Sequence, residues 1–72
     1  MNKTNYENLL PQAILFNLKE IEELSIIKIA MAKKLIQNNE IEFVKIGNKI
    51  HISRDQLIKY LNSNTQVVKI EE

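Results

Sequence analysis

The one glycine of this chain, Gly47, constrains the fold more than any other residue. It precedes Asn48, and the pair is the clearest turn signal among the 72 residues. In the segments on either side, residues 41–46 and 50–52, apolar and polar side chains alternate with the period of a β-strand. The sequence therefore predicts a β-hairpin that turns at this pair.

The register of the hairpin depends on the length of its loop. A two-residue loop would place Val44 and Ile46 on the face opposite to Ile50 and Ile52. A three-residue loop over 47–49 would pair Ile46 with Ile50 and gather all four residues on one face. Because a slip of one residue moves every side chain to the other face, burial of the apolar set favours the three-residue loop.

This register leads to two further predictions. Lys45 and His51 share the outer face of the hairpin, next to Lys49 at its tip. The inner face belongs to a single core, which we expect to contain Leu35, Ile36, Val44, Ile46, Ile50, Ile52, Leu57 and Leu61.

The segment before the hairpin is predicted to be helical. Asn17 followed by Glu20 is typical of a capping box and predicts a first helix over residues 18–24. Beyond it the apolar spacing fits one continuous helix that extends to residue 38. It fits equally well a turn near Ile26 followed by a second helix.

The segment after the hairpin carries a second capping signal. Ser53 followed by Gln56 predicts a capping box and a helix near 54–62. In the tail, residues 67–70 are a candidate strand or docking segment. We divide the chain into a loosely attached N-terminal arm (1–15), a domain (16–62) and a C-terminal tail (63–72).

Composition excludes several classes of function. The chain has no cysteine, which excludes disulfides and thiolate metal ligands, and one histidine is too few for a zinc site. No stretch approaches the ~20 apolar residues that span a bilayer, and residues 1–10 lack the apolar core of a signal peptide. We expect a cytoplasmic protein with no metal, no cofactor, no membrane contact and no small-molecule substrate.

The residues that could suggest catalysis have a simpler explanation. His51, Ser53 and Asp55 lie close together, but Ser53 is a predicted helix cap and nothing supplies an oxyanion site. No glycine-rich loop is present to bind a phosphate. We therefore predict no catalytic residues and a protein that is not an enzyme.

The charge of the chain is concentrated in its middle. The net charge is +1, but residues 28–54 carry six basic side chains against two acidic ones. Residues 17–27 carry one basic side chain against three acidic ones. A basic middle beside an acidic flank is typical of a domain with one charged working surface.

The predicted order of helix, turn, helix, hairpin and capped helix resembles the excisionase-type domains, which are relatives of the MerR-like DNA-binding domain. The similarity runs without gaps over residues 16–61. It is carried by Leu35-Ile36, Glu40-Ile41, Val44-Lys45-Ile46-Gly47 and Ile52-Ser53-Arg54. The resemblance implies a small α+β fold, a winged helix-turn-helix with a two-stranded wing hairpin and a C-terminal capped helix. It also implies an accessory role in DNA recombination on mobile genetic elements, or a role as a small regulator.

In that family the second helix enters the major groove, and the wing reaches the backbone or the minor groove. By position, the resemblance places Ile29 and Ala30 of the second helix toward the groove. It further implies DNA contacts, mainly to the backbone, from Lys28, Lys33, Lys34, Gln37, Lys45, Asn48, Lys49 and His51.

Three departures from the family pattern affect the reading of bases. Ile26 stands at the usual turn glycine, and Lys28 stands at the usual Ser or Thr cap. Residues 29–31, Ile-Ala-Met, replace side chains that are typically polar. Apolar side chains can touch a thymine methyl but cannot make bidentate contacts with bases.

The alternative hypothesis is a protein-interaction module. Ile26, Ile27, Ile29 and Met31 are more large apolar residues than one face of a short helix can bury, which predicts an exposed patch. In this hypothesis the protein is a small accessory subunit that docks on a recombination or replication enzyme through the apolar face of its second helix. Ile29 and Met31 would then contact that partner or a second copy of the chain.

Overall fold

The computed structural model describes residues 5–66 and has a small α+β fold. Within these residues it contains four helices and three strands. In chain order they are α1 (Tyr6–Leu9), β1 (Leu15–Asn17), α2 (Leu18–Glu23), α3 (Ile29–Gln37), β2 (Val44–Ile46), β3 (Lys49–Ser53) and α4 (Arg54–Asn64). The candidate strand or docking segment at 67–70 lies outside the described residues.

The strands form one antiparallel sheet in the order β1-β3-β2. The prediction of a two-stranded hairpin was therefore incomplete, because β1 adds a third strand. In that pairing Phe16 lies opposite Ile52, and both are buried. A strand of three residues that runs directly into a helix is too short to show the alternation from which strands are predicted.

The hairpin has a two-residue turn, so the predicted three-residue loop was wrong. Val44 pairs with His51, Lys45 with Ile50, and Ile46 with Lys49. Gly47 has a φ of 60°, and neither Asn48 nor any other hairpin residue has a positive φ. A positive φ at the first turn position alone is the pattern of a type II′ turn, which suits the twist of a hairpin.

The two-residue turn changes which side chains are buried. Val44 is 40% exposed and Ile46 is 54% exposed, so their predicted place in the core was wrong. Ile50 is half-buried. The other predicted core residues were placed correctly: Leu35, Ile52 and Leu57 are buried, and Ile36 and Leu61 pack against them. Six further residues complete the core, namely Leu10, Phe16, Ile21, Ile27, Ala32 and Ile41.

The ambiguous segment after α2 is a turn between two helices. Ser25 has a φ of 62°, its N–H donates to Glu22 O, and the N–H of Ile26 donates to Ile21 O. These two bonds form a Schellman motif, in which the residue after the helix end takes a left-handed conformation. Helix α3 ends in the same way, with Asn39 at a φ of 58°.

The predicted helix caps are present, one of them in part. Asn17 and Glu20 form the complete capping box, with both hydrogen bonds at 2.8 Å. At α4, Ser53 Oγ accepts from the N–H of Gln56 at 3.1 Å. The Gln56 side chain does not return that bond but donates to Glu42 at 3.3 Å, so the second predicted box is a single cap.

The N-terminal arm is packed against the domain over its described part, so the expectation of loose attachment was wrong. Leu10 is buried in the core, and helix α1 contacts α4. The Arg54 guanidinium donates to the backbone carbonyls of Pro11 and Glu7, and Tyr6 shares a hydrogen bond with Thr65. A single arginine at the start of α4 therefore holds the chain that leads into β1.

Candidate nucleic-acid interface

Helix α3 presents one polar, basic face to solvent. Ala30, Lys33, Lys34 and Gln37 are spaced three or four residues apart, which places them on one side of the helix, and all four are exposed. The opposite side is fixed by burial of Ala32 and Leu35. No acidic residue occurs in α3. The face is therefore positively charged, and the small Ala30 leaves its first turn open to close approach.

A groove lies between this helix, the start of α2 and the hairpin tip, and we call it the lysine groove. Among the described residues, its lining includes three lysines and no carboxylate. Its lining residues include Lys19, Lys33, Lys49, Asn17, Asn48, Ile29 and Ile50. Cations and amides that line one groove suit an anion with several oxygen atoms, such as a phosphate.

Two predicted contact residues of the hairpin, Lys45 and His51, do not line the lysine groove. Lys45 pairs with Ile50 and His51 pairs with Val44, so successive β3 residues place Lys45 and His51 on opposite faces of the sheet. The predicted shared face was wrong. His51 is half-buried, and its Nδ1 is buried with no hydrogen-bond partner among the described residues.

The start of α3 has a cap that the sequence did not reveal. Lys28 is the N-cap residue and makes no side-chain cap hydrogen bond. The N–H of Ile29 instead donates to Oε1 of Glu22, seven residues earlier, at 2.8 Å. A carboxylate from α2 therefore replaces the usual Ser or Thr and satisfies one of the free N–H groups of the helix.

The predicted partner residues Ile29 and Met31 do not lie together. Ile29 is half-buried and lines the lysine groove, whereas Met31 is 48% exposed on the other flank of α3. Ile27 is buried and Ile26 packs against the core. The apolar patch predicted from the sequence is therefore smaller than expected.

Met31 lies in a second groove, between α3 and α4, which we call the α3–α4 groove. It consists of two adjoining hollows that share Glu40, Ile41, Gln56 and Lys59. Met31 and Leu35 line the first hollow, and Phe43, which is 43% exposed, lines the second. The charged residues that line it are Glu40, Glu42 and Lys59. This groove combines exposed apolar side chains with two carboxylates and one lysine, whereas every described charged residue that lines the lysine groove is a lysine.

Sequence reasoning missed Lys19 and Phe43, which line the two grooves, and Glu22, which caps α3. The position of each of these side chains depends on how one helix or strand packs beside another, and no local sequence pattern predicts that packing. Within residues 5–66, no cluster of acidic or histidine side chains could hold a metal, and no helix has the length and hydropathy to cross a membrane.

Comparison with models of protein families, with curated proteins and with solved structures finds no match to this chain.

Proposed function

We propose that the protein is a DNA-binding accessory or regulatory protein of the winged helix-turn-helix type, and that it is not an enzyme. In this proposal α2 and α3 form the helix-turn-helix, and the β2–β3 hairpin is the wing. The observation that carries it is the exposed face of α3, which bears Lys33 and Lys34 with no carboxylate and is continuous with the lysine groove beside the hairpin tip.

The side chains of this surface favour contacts to the DNA backbone over contacts to bases. Lys33, Lys34 and Lys49 can each neutralise a phosphate, which positions a protein on DNA without reading its sequence. Gln37 is the one exposed residue of α3 whose side chain suits the bidentate contact that recognises adenine. We therefore expect modest sequence preference and strong dependence on salt. A role with mobile genetic elements rests on the family resemblance alone.

The test is fluorescence anisotropy with short duplex DNA over a range of salt concentrations. Lys33→Ala should weaken binding to all sequences about equally and reduce the log–log salt slope by ~0.9. Lys33→Ala with Lys34→Ala should reduce it by about twice that amount. The control is Lys59→Ala, which removes an exposed lysine from α4 and should leave the slope nearly unchanged. Equal effects of Lys33→Ala and Lys59→Ala would contradict the proposal.

A second candidate function is a protein-interaction module, and the α3–α4 groove favours it. Met31 and Phe43 offer apolar anchors, while Glu40 and Glu42 attract a cation. The fitting occupant is a segment of a recombination or replication enzyme that places a large apolar side chain beside Lys or Arg.

The test of this candidate starts with identification of the enzyme that copurifies with the native protein and continues with the purified pair. Met31→Asp should abolish that complex. The control, Ile46→Asp, changes an apolar residue of similar exposure on the sheet and should leave it intact. Binding that survives Met31→Asp would rule out the α3–α4 groove.

A further inference from the structure

Glu22 differs from the other acidic residues of α2 in where its carboxylate lies. Its Oε1 accepts a hydrogen bond from the N–H of Ile29 at 2.8 Å, at the first residue of α3. Glu20 serves the cap of its own helix, and Glu23 lines a separate hollow beside Pro11 and Leu24. Glu22 is thus the α2 residue whose carboxylate contacts α3, the helix proposed to bind DNA.

The N-terminus of a helix attracts anions, because its free N–H groups and its dipole both favour negative charge. In this chain that position is already taken by a carboxylate. Ile29 lines the lysine groove together with Lys33 and Lys49. A duplex that reached the start of α3 would therefore bring a phosphate toward the carboxylate of Glu22, and the two like charges would repel.

We propose that Glu22 determines where DNA lies on α3, because its carboxylate occupies the helix N-terminus in place of a DNA phosphate. The backbone is thereby directed to Lys33, Lys34 and the hairpin tip. This inference rests on the proposed function. Beyond the proposed function, it assigns to Glu22 a role that weakens DNA binding and that limits the DNA contact to the part of α3 around Lys33 and Lys34.

The test compares three variants in the duplex-DNA titration. Glu22→Gln removes the charge and keeps an oxygen acceptor for Ile29, so α3 retains its cap. Glu22→Ala also frees the N–H, which can then receive a phosphate. The matched control is Glu23→Gln, which makes the same change in net charge on the adjacent, exposed residue. Circular dichroism verifies that each variant is folded.

We expect Glu22→Gln to bind DNA roughly two- to fivefold more tightly than Glu23→Gln, the change produced by one charge at a helix terminus. Glu22→Ala should bind most tightly, with a salt slope steeper by ~0.9 because one more phosphate is contacted. Equal affinities of Glu22→Gln and Glu23→Gln, with binding still sensitive to Lys33→Ala, would overturn the role of Glu22 and leave the proposed function standing. No binding by any of the proteins at low salt would overturn both.

Discussion

Leu57 is fully buried where α4 meets the sheet. A domain of this length without disulfide or metal gains only ~3–5 kcal/mol from its core. Truncation of this one side chain therefore removes a large share of the stability. We expect Leu57→Ala to lower the free energy of unfolding by ~2–5 kcal/mol, as large-to-small core changes do. Chemical denaturation measures the change.

Ile46→Ala is the control for that prediction. The Ile46 side chain is 54% exposed, so its truncation should change the free energy of unfolding by no more than about 0.5 kcal/mol. Comparable losses in the two variants would show that Ile46 is buried and that the two-residue turn is wrong.

At the scale of the residue, buried side chains could be predicted from the sequence where a helix is long enough for its apolar residues to recur every three or four positions. Leu35 in α3 and Leu57 in α4 were predicted correctly for this reason. Val44 and Ile46 were not, because we assumed that every apolar side chain of the hairpin must be buried. The charge on Glu22 was visible, but its position depends on a turn that no local pattern revealed.

At the scale of the element, the β2–β3 turn depends on Gly47. Its φ of 60° lies in the left-handed region, and no atom beyond Gly47 and its two chain neighbours lies within 4 Å of the place where a Cβ would stand. Gly47→Ala would therefore meet backbone strain and no steric clash. We expect it to lower the free energy of unfolding by about 1–2 kcal/mol.

Asn48→Ala is the matched control, since Asn48 does not have a positive φ. Its effect on thermal unfolding should be small. If Asn48→Ala cost more than Gly47→Ala, the turn would not be of the type described.

The elements were predictable to different degrees. Helix α2 was predicted within one residue, because its capping box is encoded in Asn17 and Glu20. The break between α2 and α3 was left open, because Ser25 takes the left-handed position that glycine usually marks. The three residues of β1 gain their strand conformation from pairing with β3, a contact made by residues distant in sequence.

At the scale of the whole molecule, Arg54 links the N-terminal segment to the domain. Its guanidinium donates to backbone carbonyls on either side of Leu10, which is buried. We expect Arg54→Met to keep much of the side-chain packing but to release α1, and so to lower the thermal unfolding midpoint. Amide hydrogen exchange should become faster at residues 6–10 in particular.

Lys59→Met is the control, because it also replaces a positive charge by Met, at an exposed residue of the same helix. Unchanged exchange at residues 6–10 in Arg54→Met would show that Leu10 alone holds the segment.

The two grooves lie on either side of α3. Among the described residues, the charged residues of one are all lysines, and those of the other are Glu40, Glu42 and Lys59. The sequence predicted a basic middle of the chain, and Lys33, Asn48 and Lys49 do line one surface. Ile29 and Met31 could have been separated from the sequence, because residues two apart lie about 200° apart around a helix axis and cannot share one face.

The most direct test of DNA binding through α3 and the hairpin is a titration of the isotope-labelled protein with short duplex DNA, followed by amide NMR spectra. The amide signals of Lys33, Lys34, Asn48 and Lys49 should shift most, and those of Phe43 and Lys59 should remain nearly unchanged. Shifts centred on Phe43 and Lys59, or no shifts at low salt, would contradict the proposal.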